Sequence, residues 1–240
     1  MQLSPIEWTD RTWNVVTGCL NKCPYCYARK LACTRLRGRF GYPADDPFKP
    51  TFHTSRLYEP IKLKKPSMIF VSSMGDLFGE GVQKHWIDLV LKTIENSPQH
   101  TFQLLTKNPD RYDDFDIPKN AWMGYSTTSK LGHMLGGRNQ DRFKFVSLEP
   151  FMEPTSGSLH GVDLLIVGAE TGHRPDRVTA LDWADRFGKS PATSMMDIIN
   201  ECEASHTKLF IKDSMAPFCT EIEISEYKQL PKEWTPSLQG

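Results

Sequence analysis

Seven short apolar runs, each closing on small or polar residues, do most to limit the folds open to this chain. They are Trp13–Gly18, Met68–Ser73, Thr101–Thr106, Trp122–Ser126, Phe143–Leu148, Leu164–Gly168 and Lys208–Ile211. Runs this short and bounded suit strands covered on both faces. Helical patterns lie between several of them. Val82, Trp86, Leu89, Val90, Thr93 and Ile94 recur at three- and four-residue steps and form one apolar face, with Pro98 beyond its end. Ser190–Pro191 reads as an N-cap followed by proline at the first helical position. Strand–helix alternation predicts an α/β chain with a parallel sheet, either open or curved into a partial barrel.

At 240 residues the chain fits one such domain, and an apolar content of 39% supplies a sizeable core. No run of 18 or more apolar residues is present, so no membrane span is expected. Met1 to Asp10 carries two acids and no apolar core segment, which is unlike a signal peptide. The expected compartment is the cytoplasm, that of a host cell if the chain is phage-encoded, with no membrane partner.

Charge is balanced overall but unevenly spread. Between Arg29 and Lys65 ten basic residues face only Asp45, Asp46 and Glu59, a local net charge of +7. A segment of this kind neutralises phosphates even in a neutral chain. Its core, about residues 38–65, is rich in proline and aromatics and interrupts the alternation as a long basic loop insertion after the first helix. Phe40, Tyr42, Phe48, Phe52 and Tyr58 are its candidates for stacking on a base taken out of a duplex; a solvated cover loop accounts for the same composition.

Three of the six cysteines fall within eight positions: Gly18-Cys19-Leu20-Asn21-Lys22-Cys23-Pro24-Tyr25-Cys26-Tyr27. Six cysteines are too few for a disulfide scaffold in a chain of this length, and the crowding suits metal binding in a reducing compartment. Cys33, Cys202 and Cys219 are scattered and read as ordinary core or surface residues. The spacing C-x3-C-x2-C allows Cys19, Cys23 and Cys26 to hold three corners of a [4Fe–4S] cubane and leaves one iron without a protein ligand. A structural zinc site is the rival and needs a fourth ligand, for which Cys33 and His53 are candidates. Bacterial ferredoxin spacing fits less well.

C-x3-C-x2-C with an aromatic before the third cysteine resembles the signature of the radical-SAM superfamily, and it follows the first apolar run as that superfamily's does. Other blocks resemble a phage-associated radical-SAM family that includes enzymes of thymidine hypermodification. They are Ile6-Glu7-Trp8-Thr9-Asp10, Thr12-Trp13-Asn14, Thr17-Gly18-Cys19, Phe70-Val71-Ser72-Ser73-Met74-Gly75-Asp76-Leu77-Phe78, Leu105-Thr106-Lys107-Asn108-Pro109, Ser147-Leu148-Glu149-Pro150 and Ile166-Val167-Gly168-Ala169-Glu170-Thr171-Gly172. The resemblance covers most of the chain to about residue 215. It implies a partial (β/α)6 barrel of the radical-SAM type over residues 1–215 and a C-terminal extension over 216–240. The implied cofactors are one [4Fe–4S] cluster and S-adenosylmethionine (SAM), with an external one-electron donor. Tyr25 then packs by the adenine. Ser72, Ser73, Met74, Gly75 and Asp76 occupy the position that holds the methionine amino group of SAM, although Gly and Asp also make plain turns.

Chemistry in such a barrel collects at the C-terminal ends of strands. Lys107 is placed to meet a carboxylate or a phosphate, or to stay solvated. Ser126 offers a hydroxyl to a ribose or caps the next helix. Glu149 and Glu170 each follow a buried run, and carboxylates are rarely buried unpaired. They bind an amine, move a proton, or sit in ion pairs with Lys107, Lys212 or Arg174. Gly168, Gly172 and His173-Arg174-Pro175 suggest a loop that approaches a ligand closely, and Lys212-Asp213 closes the barrel mouth.

The function expected from the resemblance is generation of a 5′-deoxyadenosyl radical that modifies or isomerises a substrate. The leading substrate is a hypermodified pyrimidine in phage DNA, where a glycyl group moves from nitrogen to carbon linkage on thymidine. A radical enzyme acting on a peptide, a tRNA base or a DNA lesion shares every motif. A non-catalytic, zinc-bearing nucleic-acid-binding protein shares the cysteines and the basic segment.

Overall fold

The computed structural model describes residues 1–131, 137–171, 178–228 and 230. The described chain divides into two compact units, one of residues 1–124 and 137–142, the other of 125–131, 143–171, 178–228 and 230. Both are α/β, and both contain parallel strand pairs.

In the first unit β1 (Gln2–Leu3) lies antiparallel to β2 (Arg11–Trp13). The expected first run, Trp13–Gly18, splits. β2 ends at Trp13, and β3 (Val16–Thr17) leaves the sheet to pair antiparallel with β4 (Thr51–Phe52) from the insertion. After α1 (Tyr27–Thr34) and the short α2 (Glu59–Lys62), β5 (Met68–Val71) runs parallel to β2. All four β5 residues are buried, as strands covered on both faces require. α3 (Lys84–Glu95) then crosses to β6 (Thr101–Thr106), which is parallel to β5. Its buried face is Ile87, Val90, Leu91 and Ile94, whereas Leu89, expected inside, is exposed. Trp13, fully buried, packs edge-on against Phe102 and donates its indole N–H to the Arg56 carbonyl at 2.8 Å. β7 (Ala121–Thr127) begins in this unit and ends in the next.

In the second unit β8 (Lys144–Leu148), β9 (Leu164–Val167) and β10 (Lys208–Ile211) are consecutive and parallel. Two helices link β9 to β10. Thr179 and Asp182 form a reciprocal cap on α4 (Ala180–Phe187), and Ser190 caps α5 (Pro191–Ser205) with proline in its first turn, as expected. Trp183 stacks on Phe151 with ring centroids 4.4 Å apart in a core shared with Val146, Leu165, Ile198 and Ile211. Phe218 and Cys219 join that core, with Ile222, Ile224 and Tyr227 packed against it. Strand–helix alternation is incomplete: residues 149–163 link β8 to β9 without a helix, and a 3-10 turn at Pro109–Asp114 stands between β6 and β7. No helix of the described residues is long and apolar enough to cross a membrane.

The insertion is structured rather than a free loop. Tyr42, Phe48 and Leu57 are buried, and Phe52 stacks on Trp86 at 5.6 Å. Tyr42 and Phe48 are therefore core residues and are removed from the candidates for base stacking. Phe40 and Tyr58 remain exposed.

Candidate cysteine-loop site

The cysteine loop starts where β3 meets the β5 exit. Gly18, at φ +83°, donates its N–H to the Met74 carbonyl at 2.9 Å, and Cys19 donates to Phe48 O at 3.0 Å. Gly18 and Gly75 pair as an isolated parallel bridge. A Cβ at Gly75 would stand 2.8 Å from Gly18 O, so this approach needs glycine. The loop ends on α1, whose N-cap is Cys26; its Sγ accepts from Arg29 N at 3.3 Å. Cys19 Sγ accepts from Asn21 N at 3.4 Å. The Arg29 guanidinium lies over the Phe48 ring and donates from Nη2 to the carbonyls of Cys19 (3.0 Å) and Asn21 (2.9 Å), which clamps the loop to the helix. Met74, Phe48, Ala28 and Ala32 form an apolar wall against which Cys19 and Cys26 pack. Burial pushes the Cys19 thiol up to about 11, with Asp76, Cys23 and Cys26 adding in the same direction and the Asn21 N–H opposing.

The β5 exit is folded onto this loop. Asn14 Oδ1 accepts from Met74 N (2.9 Å) and Ser73 Oγ (3.2 Å), and Tyr27 OH donates to Ser73 O at 2.7 Å. Ser72 is 2% exposed, sits at φ +60°, and its Oγ has no hydrogen-bond partner among the described residues. Asp76 accepts from Phe78 N (3.1 Å) and Lys107 N (3.0 Å), tying the β5 and β6 exits together; burial raises its carboxyl above the usual range. The Lys107 ammonium reaches Tyr25 OH at 3.2 Å. The fold thus gathers Cys19, Cys23, Tyr25, Cys26, Ser72–Asp76 and Lys107 in the first unit. Sequence reasoning missed Asn14, Tyr27, Arg29 and Arg56, which act through backbone carbonyls and loop amides and so leave no spacing signature.

The residues present fit an iron–sulfur cluster in donor chemistry, three thiols on one loop. Among the described residues no three His, Cys, Asp or Glu side chains are already grouped as a metal site. The three thiols share a loop and feel one another's charge, but they are not drawn to one point. Staggered χ1 wells leave each sulfur alternative positions. Among the described residues, neither candidate for the fourth ligand of the zinc alternative is grouped with the thiols. Cys33 is exposed and seven residues along α1 from Cys26, a rise of about 10 Å, while zinc holds sulfur at about 2.3 Å. His53 is buried with Nε2 2.7 Å from Thr17 Oγ1.

Burial, with help from Arg56, lowers the His53 imidazole from 6.5 to about 4. The unfolded chain therefore binds a proton that the folded chain refuses. Its contribution is fully present above about pH 6.5 and is lost as pH falls towards 4. A urea-denaturation series is expected to lose roughly 3 kcal/mol of stability over that interval, and His53→Gln to flatten it. His100, also lowered by burial, adds a smaller slope of the same sign that survives in the variant.

The remaining predicted residues lie in the second unit. Glu149 pairs with Lys212 (Oε1–Nζ 2.6 Å) and accepts from Ser147 Oγ at 3.0 Å. The pair stands against Gly168, where a Cβ would meet Glu149 Oε1 at 2.6 Å. Lys212 is therefore the ion-pair partner that the sequence left open for Glu149. Ser126 on β7 and Glu170 beyond β9 are partly exposed. Gly172 and His173-Arg174-Pro175 lie outside the described residues. The side chains of Glu149 and Lys212 are 22% and 19% exposed, so breaking the pair leaves a half-desolvated charge. Lys212→Met is expected to destabilise by about 2 kcal/mol, and adding Glu149→Gln to recover part of it. Strict additivity in thermal melts of this cycle would mean the pair carries no coupling. Cys202 and Cys219 are buried thiols, pushed by desolvation up to about 12 and about 11, and suit core roles.

Comparison with known proteins adds little chemistry. No solved structure matches the chain. An 87-residue segment is 31% identical to a subunit of the ATP-dependent helicase/nuclease of Streptococcus uberis, covering 35% of this chain and 7% of that protein. The chain therefore spans a small fraction of the length of this curated relative. Residues 3–213, nearly the whole of both units as described, match the family described as "Protein of unknown function (DUF5131)", and the chain belongs to that family.

Proposed function

We propose that this protein is a radical-SAM enzyme acting on a pyrimidine in DNA, with Cys19, Cys23 and Cys26 holding one [4Fe–4S] cluster. The observation that carries the reading is the docking of the three-thiol loop, through Gly18 and Gly75, against a strand exit bearing the buried, unpartnered Ser72 hydroxyl. A cluster held by Cys19, Cys23 and Cys26 would supply the one electron needed to break the C5′–S bond of SAM, with methionine as leaving group, for hydrogen abstraction from the substrate. Ser72 and the carbonyls of its loop accept from the amino group of SAM. Tyr25 flanks the adenine, and Lys107, already at the Tyr25 hydroxyl, neutralises a carboxylate or phosphate. Met74, Phe48 and Ala28 keep water from the thiol side. The parallel strands of each unit support the finer fold proposed, a partial (β/α)6 barrel of the radical-SAM type.

The leading reaction is isomerisation of a glycyl-thymidine in phage DNA, supported by the sequence blocks above and by the basic segment. The test is anaerobic purification with iron and sulfide analysis, then SAM and dithionite with DNA, followed by assays for 5′-deoxyadenosine and altered nucleosides. Deoxyadenosine with changed thymidine supports the reading. Tightly bound zinc without sulfide overturns the enzyme assignment, and deoxyadenosine with a changed peptide but unchanged DNA overturns the substrate.

A further inference from the structure

Phe40 is the residue of the basic insertion that the fold gives least reason to keep. It sits in the left-handed region at φ +51°, where a bulky side chain is strained and glycine is the usual occupant. Its ring is 74% exposed, so packing does not offset the strain. The conformation is nevertheless held firmly. Arg56 donates from Nη2 to Phe40 O at 2.6 Å, Tyr42 N donates to Arg39 O at 2.9 Å, and Gly38 and Gly41 flank the position at φ +68° and +86°. Gly41 leaves no room for a side chain, because a Cβ there would meet the buried His53 ring at 2.8 Å.

Within ten residues of Phe40 along the chain Lys30, Arg35, Arg37 and Arg39 are exposed, and among the described residues none of the three arginines is in an ion pair. Arg37 spends only its Nε, on Ala44 O at 2.8 Å. Asp45, one of the three acids of the segment, is held by Lys49 at 3.1 Å. The tip is also wired to the cysteine-loop site. Arg56 Nη1 donates to Asn14 O at 2.9 Å, and the side chain of the same Asn14 holds Met74 N and Ser73 Oγ.

We infer that Arg35, Arg37, Arg39 and Phe40 form a DNA-binding tip, in which the arginines take backbone phosphates and the Phe40 ring stacks on an unpaired base or fills the gap left by one. Cations around one rigid, displayed aromatic are what strand binding without sequence reading requires, and an apolar ring wedged into a base step is a recurrent means of holding a duplex open. An acidic peptide would use the arginines but would gain nothing from a strained, solvent-facing phenyl ring. The inference deepens the proposed function and rests on its DNA substrate.

The test is fluorescence anisotropy with a labelled single-stranded DNA, the same sequence as a duplex containing one mismatch, the RNA equivalent, and polyglutamate, on the 240-residue wild type and variants. Phe40→Gly is expected to weaken DNA binding about fivefold to 150-fold while leaving thermal stability unchanged or raised, because glycine relieves the strain. Replacing Arg35, Arg37 and Arg39 with Gln is expected to reduce the slope of log affinity against log salt by about 2 to 3. Undiminished DNA affinity in folded Phe40→Gly, tighter binding of RNA than DNA, or equal affinity for polyglutamate overturns the proposal. Deoxyadenosine release without DNA is read on the same preparations. Its loss with DNA binding intact defeats the radical reading, whereas its retention with no effect at Phe40 defeats the tip alone.

Discussion

Cys23→Ala is expected to remove the acid-labile sulfide of the purified protein and to bring 5′-deoxyadenosine release down to background, with Cys19→Ala and Cys26→Ala behaving alike. Donor number sets the size of the loss. Outer-sphere groups at metal sites already carry about 10- to 100-fold in affinity, so a direct thiolate lost from a set of three should exceed about a hundredfold. Cys33→Ala is the internal control. It is exposed and about 10 Å along α1 from the loop, so it should keep full iron, sulfide and activity. Equal losses at Cys33 and Cys23 would point to a structural zinc or to general instability instead. Fold integrity is read by circular dichroism, since the loop is held by Arg29, Gly18 and Gly75 through backbone atoms that no cysteine substitution removes.

Gly18→Ala is expected to be the most damaging of the Gly→Ala changes among the described residues. The added Cβ would overlap the Lys49 carbonyl oxygen and stand 2.7 Å from that of Phe48. Neither is the movable end of a flexible side chain. Phe48 O is held by Cys19 N, and the chain after Lys49 enters β4, which is paired with β3. The substitution also forces alanine to φ +83°, at about 1–2 kcal/mol, and overpacking of a tight site adds about 1–3 kcal/mol. A combined loss of about 2–5 kcal/mol corresponds to a fall in Tm on the order of 10 °C for a chain of this size. Iron loading should fall in parallel, because the same contact seats the cysteine loop. A wild-type melting curve for this variant would be incompatible with the close approach of the two loops. Gly188→Ala, at φ +69° with nothing within 4 Å of its Cβ, isolates the backbone part and should lose only about 1 kcal/mol.

The strands were legible because burial on both faces leaves unbroken apolar runs: β5, β8, β9 and β10 fall within the runs read from sequence. Ser190–Pro191 likewise announces α5, since capping is chemistry between neighbours in the chain. The run at Trp13–Gly18 misled because one stretch serves two partners. Trp13 ends a parallel strand, and Val16–Thr17 joins a ribbon whose other strand lies more than thirty residues away. Leu89 misled because apolar spacing defines a stripe but not its edge. Tyr42 and Phe48 looked like surface aromatics in a basic, proline-rich stretch, and only packing against Met74, Ala28 and Ala32 shows them to be core.

By itself the sequence determined what is local or periodic: parallel strands, capped helices, and three thiols whose spacing along the chain brings them onto one loop. The tertiary structure alone decided which groups meet. It brought Gly18 against Gly75, Lys107 to Tyr25 and Lys212 to Glu149, and it left Phe40 outside while Phe48 went in. The reason is physical. Backbone periodicity and capping act over a few residues and are written in neighbouring letters. Close approach, ion pairing and burial depend on which distant segments share a volume, and no spacing along one segment encodes that.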